Sequence, residues 1–172
     1  MERRKIKLKK VYVSYLNIPF DKKLLKPSDK MNNNIVNKPI GGFWASPEDA
    51  KYGWKEFYED VFMEDRLKDK FKNMIKFRFT LSDDARIITI DDIQDINDKL
   101  KFNKFSCGNN LYIDFDSMRN DYDGIELTDP MLGHYFLNPK QYPELSKKEE
   151  CFYCWDCESI VIWNPDIIIP LE

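Results

Sequence analysis

Residues 38–57 read KPIGGFWASPEDAKYGWKEF, and the reading of the rest of the chain depends on this stretch. Gly41 and Gly42 stand directly before Phe43 and Trp44. Two consecutive glycines mark a tight turn or a close approach of the backbone to something else. The two aromatics place flat apolar faces beside that turn. Ser46-Pro47-Glu48-Asp49 then has the chemistry of a helix start. Ser46 is a good N-cap, Pro47 suits the first helical position, and Asp49 supplies an acid three residues on, as in a capping box. The expected order is turn, short strand and helix. The helix is expected over residues 47–63, with Ala50, Trp54, Phe57 and Tyr58 at helical spacing forming a core face. A helix N-terminus also offers free N–H groups to an anion such as phosphate. The stretch is therefore a candidate ligand wall as well as an ordinary turn and cap.

The chain has 172 residues, 42% hydrophobic and 15% aromatic. That is enough for one domain with a sizeable core and too little for two. Charged residues make up 33% and the formal net charge is −3. A general duplex binder would be basic, so nucleic acid is not the expected partner. Residues 1–10, MERRKIKLKK, concentrate positive charge, which reads as a solvated terminus before the first strand. No apolar run is long enough to span a bilayer, and no apolar segment of a signal peptide follows the basic start. A cytosolic protein is expected, and its four cysteines are then thiols or metal ligands rather than disulfides.

Residues 6–16, centred on VYVSY, alternate apolar and polar and are expected to form the first strand. Residues 17–40 are loop-like, with a possible helical turn over 21–25. IKFRFTL at 75–81 and ARIITI at 85–90 are two further strands, hairpin partners or sheet neighbours across the Ser82-Asp83-Asp84 turn. Asp91-Asp92 caps a helix running to about Lys101. Residues 111–115 form a short apolar run, 116–122 a turn or helix, and YDGIEL at 122–127 a turn into a strand. SIVIW at 159–163 is the strongest late strand, and 167–171 a short edge strand. This irregular mixture argues α+β.

Cys151, Cys154 and Cys157 form CFYCWDC, with Cys107 upstream. Four cysteines can close a tetrahedral zinc site, provided Cys107 comes within metal distance of the other three. In an extended segment Cys151 and Cys157 share one face and Cys154 the other, which favours structural thiols. His134 is the one histidine and carries little weight as a catalyst. P-loop, GxGxxG and HExxH motifs are absent. Among the carboxylates, Glu126 and Glu158 stand out, each at a strand start beside aromatic residues.

Taken in order, VYVSY, GGFWASP, YGW, KFRFTL, ARIITI, YDGIEL and DCESIVIWNPDII resemble the ADP-ribosyltransferase-like fold, and especially its small bacterial and phage-borne members. The resemblance covers most of the chain in motifs that are short and degenerate. It implies an α+β split sandwich of two small sheets with flanking helices and NAD in the cleft between them. Phe43-Trp44-Ala45-Ser46 stands at the family's Ser-Thr-Ser position and Asp156-Cys157-Glu158 at its Gln/Glu-x-Glu position. Glu158 is then the catalytic carboxylate, hydrogen-bonding the nicotinamide ribose and stabilising positive charge as nicotinamide leaves. Ser46 orients it, and Asp156 helps to activate a protein acceptor. Tyr12, Ser14, Gly42, Trp44 and Trp54 are the implied NAD-binding residues. The family's first-strand Arg or His is missing, with Tyr12 and Ser14 in that region and Lys10 the nearest cation. The expected activity is mono-ADP-ribosylation of a macromolecule, protein foremost, by a phage or mobile-element effector in a host cytosol. Its rival is a non-catalytic binding protein that keeps the fold and blocks a partner.

Overall fold

Alternating apolar residues build a sheet around which the described chain is arranged. The computed structural model describes residues 9–25, 31–32, 38–61, 73–104, 111–128 and 155–172. Its strands are β1 (Tyr12–Leu16), β2 (Phe43–Pro47), β3 (Ile75–Leu81), β4 (Ile87–Ile90), β5 (Phe102–Lys104), β6 (Leu111–Ile113), β7 (Gly124–Leu127), β8 (Ser159–Ile162) and β9 (Ile168–Pro170). Its helices are α1 (Trp54–Val61), α2 (Ile93–Lys99) and α3 (Phe115–Met118). Single 3-10 turns lie at Lys22–Leu24 and Pro165–Ile167. The class is mixed α+β. Seven strands form one sheet in the order β4-β7-β8-β2-β1-β3-β9, and β5 pairs with β6 in a separate ribbon.

β8 sits inside this sheet, antiparallel to both β7 and β2. All four of its residues are buried. Val161 faces a core cluster with Ile88, Ile96, Ile113, Phe115 and Trp155, while Ile160 and Ile162 face a second cluster with Tyr12, Phe43 and Phe79. A strand covered on both faces needs a continuous apolar run, which SIVIW supplies. Each such side chain contributes about 1.5–3 kcal/mol on burial.

The β7–β8 pairing depends on Gly124. A Cβ there would lie 2.6 Å from the Val161 carbonyl oxygen. Asp123, immediately before it, ties three strand ends together. Its carboxylate accepts from the Arg86 backbone N–H and guanidinium and from Asn164 Nδ2. Burial alone would raise the Asp123 pKa, but the Arg86 and Asn164 hydrogen bonds outweigh it and hold the group below its usual range. The YDGIEL motif is thus a structural junction.

Three expectations are corrected. β4 is not a neighbour of β3. It pairs in parallel with β7 at the opposite edge of the sheet, because the chain leaves the Ser82–Asp84 turn without folding back. The first strand begins at Tyr12, so residues 9–11 are not part of it, and residues 6–8 lie outside the described residues. The helix does not start at Ser46-Pro47, since β2 continues through Pro47, paired with β1 at Tyr12. α1 starts seven residues later, where the Gly53 N–H donates to Glu56 Oε2, giving the capping-box contact expected for Asp49. Strand β3, the Asp92 cap on α2 and the edge position of β9 agree with expectation.

Candidate functional site

The site forms where β1 and β2 separate. Their backbones pair at Tyr12–Pro47 and Val13–Ser46 only. Beyond that point Ser14 Oγ donates to the Trp44 carbonyl at 2.9 Å, so a side chain replaces the ladder. A cleft of about 380 Å³ opens here, lined by Ser14, Tyr15, Lys38, Trp44, Trp54 and Tyr58, among others. Trp44 and Trp54 meet edge to face at 6.2 Å. Trp44 reaches the cleft because β2 alternates, with Phe43 and Ala45 packed in the opposite core cluster. Trp54 and Tyr58 share a face of α1 at helical spacing. Trp54 Nε1 is a buried donor with no acceptor among the described residues.

A larger groove of about 880 Å³ adjoins the cleft and shares Tyr15, Trp54 and Tyr58 with it. Its charges are paired internally. Arg78 and Lys76 hydrogen-bond Glu48 and hold its carboxyl down at about 2. Lys55 pairs with Glu59 along α1.

Ser46 joins the elements around the cleft. Its Oγ donates to the Glu158 carbonyl at 2.7 Å and accepts from the Trp54 N–H at 2.9 Å. Ser46 therefore does bond the first turn of a helix, though not one beginning beside it. The Glu158 N–H donates to the Tyr52 carbonyl. Glu158 Oε1 accepts from the N–H groups of Lys51 at 2.7 Å and Tyr52 at 3.0 Å. Glu158 Oε2 takes no hydrogen bond among the described residues. The carboxylate is thus held by one oxygen on the 51–52 turn and does not line either cavity. Asp156 comes near the cleft through Lys38, at 3.6 Å.

The other expected site residues lie elsewhere. Tyr12 is buried against Phe79 in the core, and its hydroxyl donates to Glu126 Oε2 at 3.2 Å. Burial, and then the adjacent Glu126 charge, push its pKa well above the usual range. Tyr12 is therefore a core residue and lines neither the cleft nor the groove. Gly42 is corrected too. At φ +82°, a Cβ would lie 2.6 Å from Val161 Cγ2, so this glycine serves close packing on β8. It borders a small apolar hollow rather than the cleft. Glu126 is buried with both oxygens taken, Oε1 by Lys10 at 2.7 Å and Oε2 by Tyr12. Cys157 is buried, and burial pushes its thiol up to about 12, so it is protonated at neutral pH. Cys107, His134, Cys151 and Cys154 lie outside the described residues, and among the described residues no group of His, Cys, Asp and Glu could hold a metal.

Lys38, Tyr15 and Tyr58 line the cleft without having been singled out as ligand contacts. Tyr15 was legible from β1 alternation and Tyr58 from its i,i+4 relation to Trp54. No spacing signal marks Lys38. Among the described residues, no helix is long and apolar enough to cross a membrane. The chain matches no protein-family model, no curated protein and no solved structure.

Proposed function

We propose that the chain is an ADP-ribosyltransferase-like protein that holds NAD in the Trp44–Trp54 cleft and transfers ADP-ribose to a macromolecular acceptor, with protein the expected class. The split sandwich belongs to this proposal. On this reading the limited β1–β2 pairing divides the seven-stranded sheet into two halves, with the cleft at the seam.

One observation carries the reading. Ser46 Oγ, 112 residues from Glu158 and selected from a separate motif, donates to the Glu158 main-chain carbonyl at 2.7 Å and accepts from the N–H of Trp54, whose ring walls the cleft with Trp44. Trp44 and Trp54 would hold the nicotinamide ring against their indole faces. Glu158 would act through Oε2, towards a ribose hydroxyl and the positive charge that develops as the bond to nicotinamide breaks. In the transfer the ribose–nitrogen bond breaks, a bond from the ribose carbon to the acceptor nucleophile forms, nicotinamide leaves and the acceptor gives up its proton.

A second reading is favoured by the Glu158 carboxylate itself. Two backbone amides engage it and it does not line the cleft. A chain that uses this acid to fix the 51–52 turn would keep the fold as a binding protein and lack transferase activity.

Incubation with labelled NAD and host lysate distinguishes the two. The transferase reading predicts label transfer by wild type that is lost in Glu158→Gln. Unchanged transfer in that variant removes Glu158 from the mechanism, and no transfer by wild type supports the binding protein.

A further inference from the structure

We infer that Lys38 holds the phosphates of the ligand in the Trp44–Trp54 cleft, an assignment that rests on the NAD reading above. The first strand offers no arginine or histidine for this task, and Lys10, its nearest cation, is hydrogen-bonded to Glu126. Among the described residues lining the cleft, Lys38 is the one that carries a charge. Its Nζ lies 5.5 Å from the Trp44 ring centroid and 5.8 Å from that of Trp54. A flat ring seated on these indoles would bring a phosphate attached through ribose to the same rim.

Lys38 is also held less tightly than the other described cations with which it compares. Its carboxylate neighbour, Asp156, stands at 3.6 Å, beyond hydrogen-bond length, and the two side chains are 26% and 38% exposed. Such a pair is weak and easily exchanged. Lys10, Lys76, Arg78 and Arg86 by contrast are each hydrogen-bonded to a carboxylate. Pro39 restricts the Lys38 backbone to extended conformations, which fixes the root of a flexible stem. A compact ammonium on such a stem suits a phosphate anion. The ligand class is therefore a flat base joined through sugar to phosphate or pyrophosphate.

The test is isothermal titration of wild type, Lys38→Gln and Lys38→Arg with NAD, ADP-ribose and nicotinamide riboside, which lacks phosphate. Far-UV circular dichroism checks that the variants are folded. Lys38→Gln is expected to weaken NAD and ADP-ribose by about 10- to 100-fold, the loss of a charge-assisted contact. It should not weaken nicotinamide riboside, a cation without phosphate, and should flatten the salt dependence of NAD affinity. Lys38→Arg should stay within about threefold of wild type. NAD affinity unchanged in Lys38→Gln overturns the assignment and leaves the NAD reading standing. Tighter binding of all three ligands in that variant also overturns it, since Lys38 would then merely fill the cleft. Lys38-dependent binding of ADP-ribose without binding of NAD keeps the phosphate role and removes the NAD reading. Binding of neither by wild type overturns both.

Discussion

Glu126 on β7 and Glu158 ahead of β8 look alike in the sequence, and their surroundings separate them. Both are acids at a strand start beside aromatic residues. Glu126 is buried with both oxygens occupied, one by Lys10 and one by Tyr12. Glu158 is partly exposed, with one oxygen fixed by two backbone amides and the other without a hydrogen bond among the described residues. A carboxylate this deeply buried and bonded at both oxygens is closed off from a substrate, and removing it leaves its partners unpaired. A carboxylate oriented through one oxygen keeps the other for chemistry, which is the preorganisation that electrostatic catalysis needs. Strand-start position therefore says little by itself. Each acid accepts two hydrogen bonds, and what differs is their distribution over the two oxygens and the burial around them.

The contrast breaks most readily at Glu158. Glu158→Gln keeps an amide oxygen for the Lys51 and Tyr52 N–H groups but loses the charge. Label transfer from NAD is expected to fall about 100- to 1000-fold with little change in melting temperature. A large loss of stability instead would make Glu158 a structural residue like Glu126. Glu126→Gln should do the reverse, costing about 2 kcal/mol in urea unfolding while activity per folded molecule stays unchanged. The cost falls below that of a fully buried pair because Lys10 is 41% exposed and can return to water. Tyr12→Phe, which removes one of the same two bonds, should cost about 1 kcal/mol.

Ligand binding sharpens the comparison further. Trp54→Leu removes a cleft wall, and NAD affinity should fall about tenfold, the scale of one aromatic contact. Glu48, in the larger groove, supplies the smallest effect. Its exposed contacts to Arg78 and Lys76 contribute at most about 1 kcal/mol after screening. Because the folded pKa is depressed to about 2, that stabilisation is complete above the ordinary glutamate value and is lost as pH falls towards 2. Acid unfolding of Glu48→Gln should lack this component, and its NAD affinity should equal wild type.

Local periodicity made much of the fold legible. IKFRFTL became β3 at its expected residues, and Asp92 caps α2 as its position suggested. Strand partners were less legible, because pairing is decided by long-range packing. Nothing near Ile87 announces a parallel partner starting at Gly124. Ser46 is instructive, since its hydroxyl does bond a helix N-terminus, but one delayed to Trp54 by the turn that Glu158 holds. That turn depends on contacts more than a hundred residues apart, which local capping rules cannot see. At the site, the residues that the resemblance implies include Ser14, Trp44 and Trp54, and these three line the cleft. Tyr12 and Gly42 were assigned to a ligand although burial and close packing account for them. Lys38 was hidden because its significance lies in a weak pairing visible only in three dimensions.

Nicotinamide release from NAD by the purified chain tests the central claim most directly, since it needs no knowledge of the acceptor. The account predicts release above the rate of NAD alone for wild type, retained per folded molecule in Glu126→Gln and reduced about 100-fold in Glu158→Gln. Equal rates for wild type and Glu158→Gln, or no release by wild type, would contradict it.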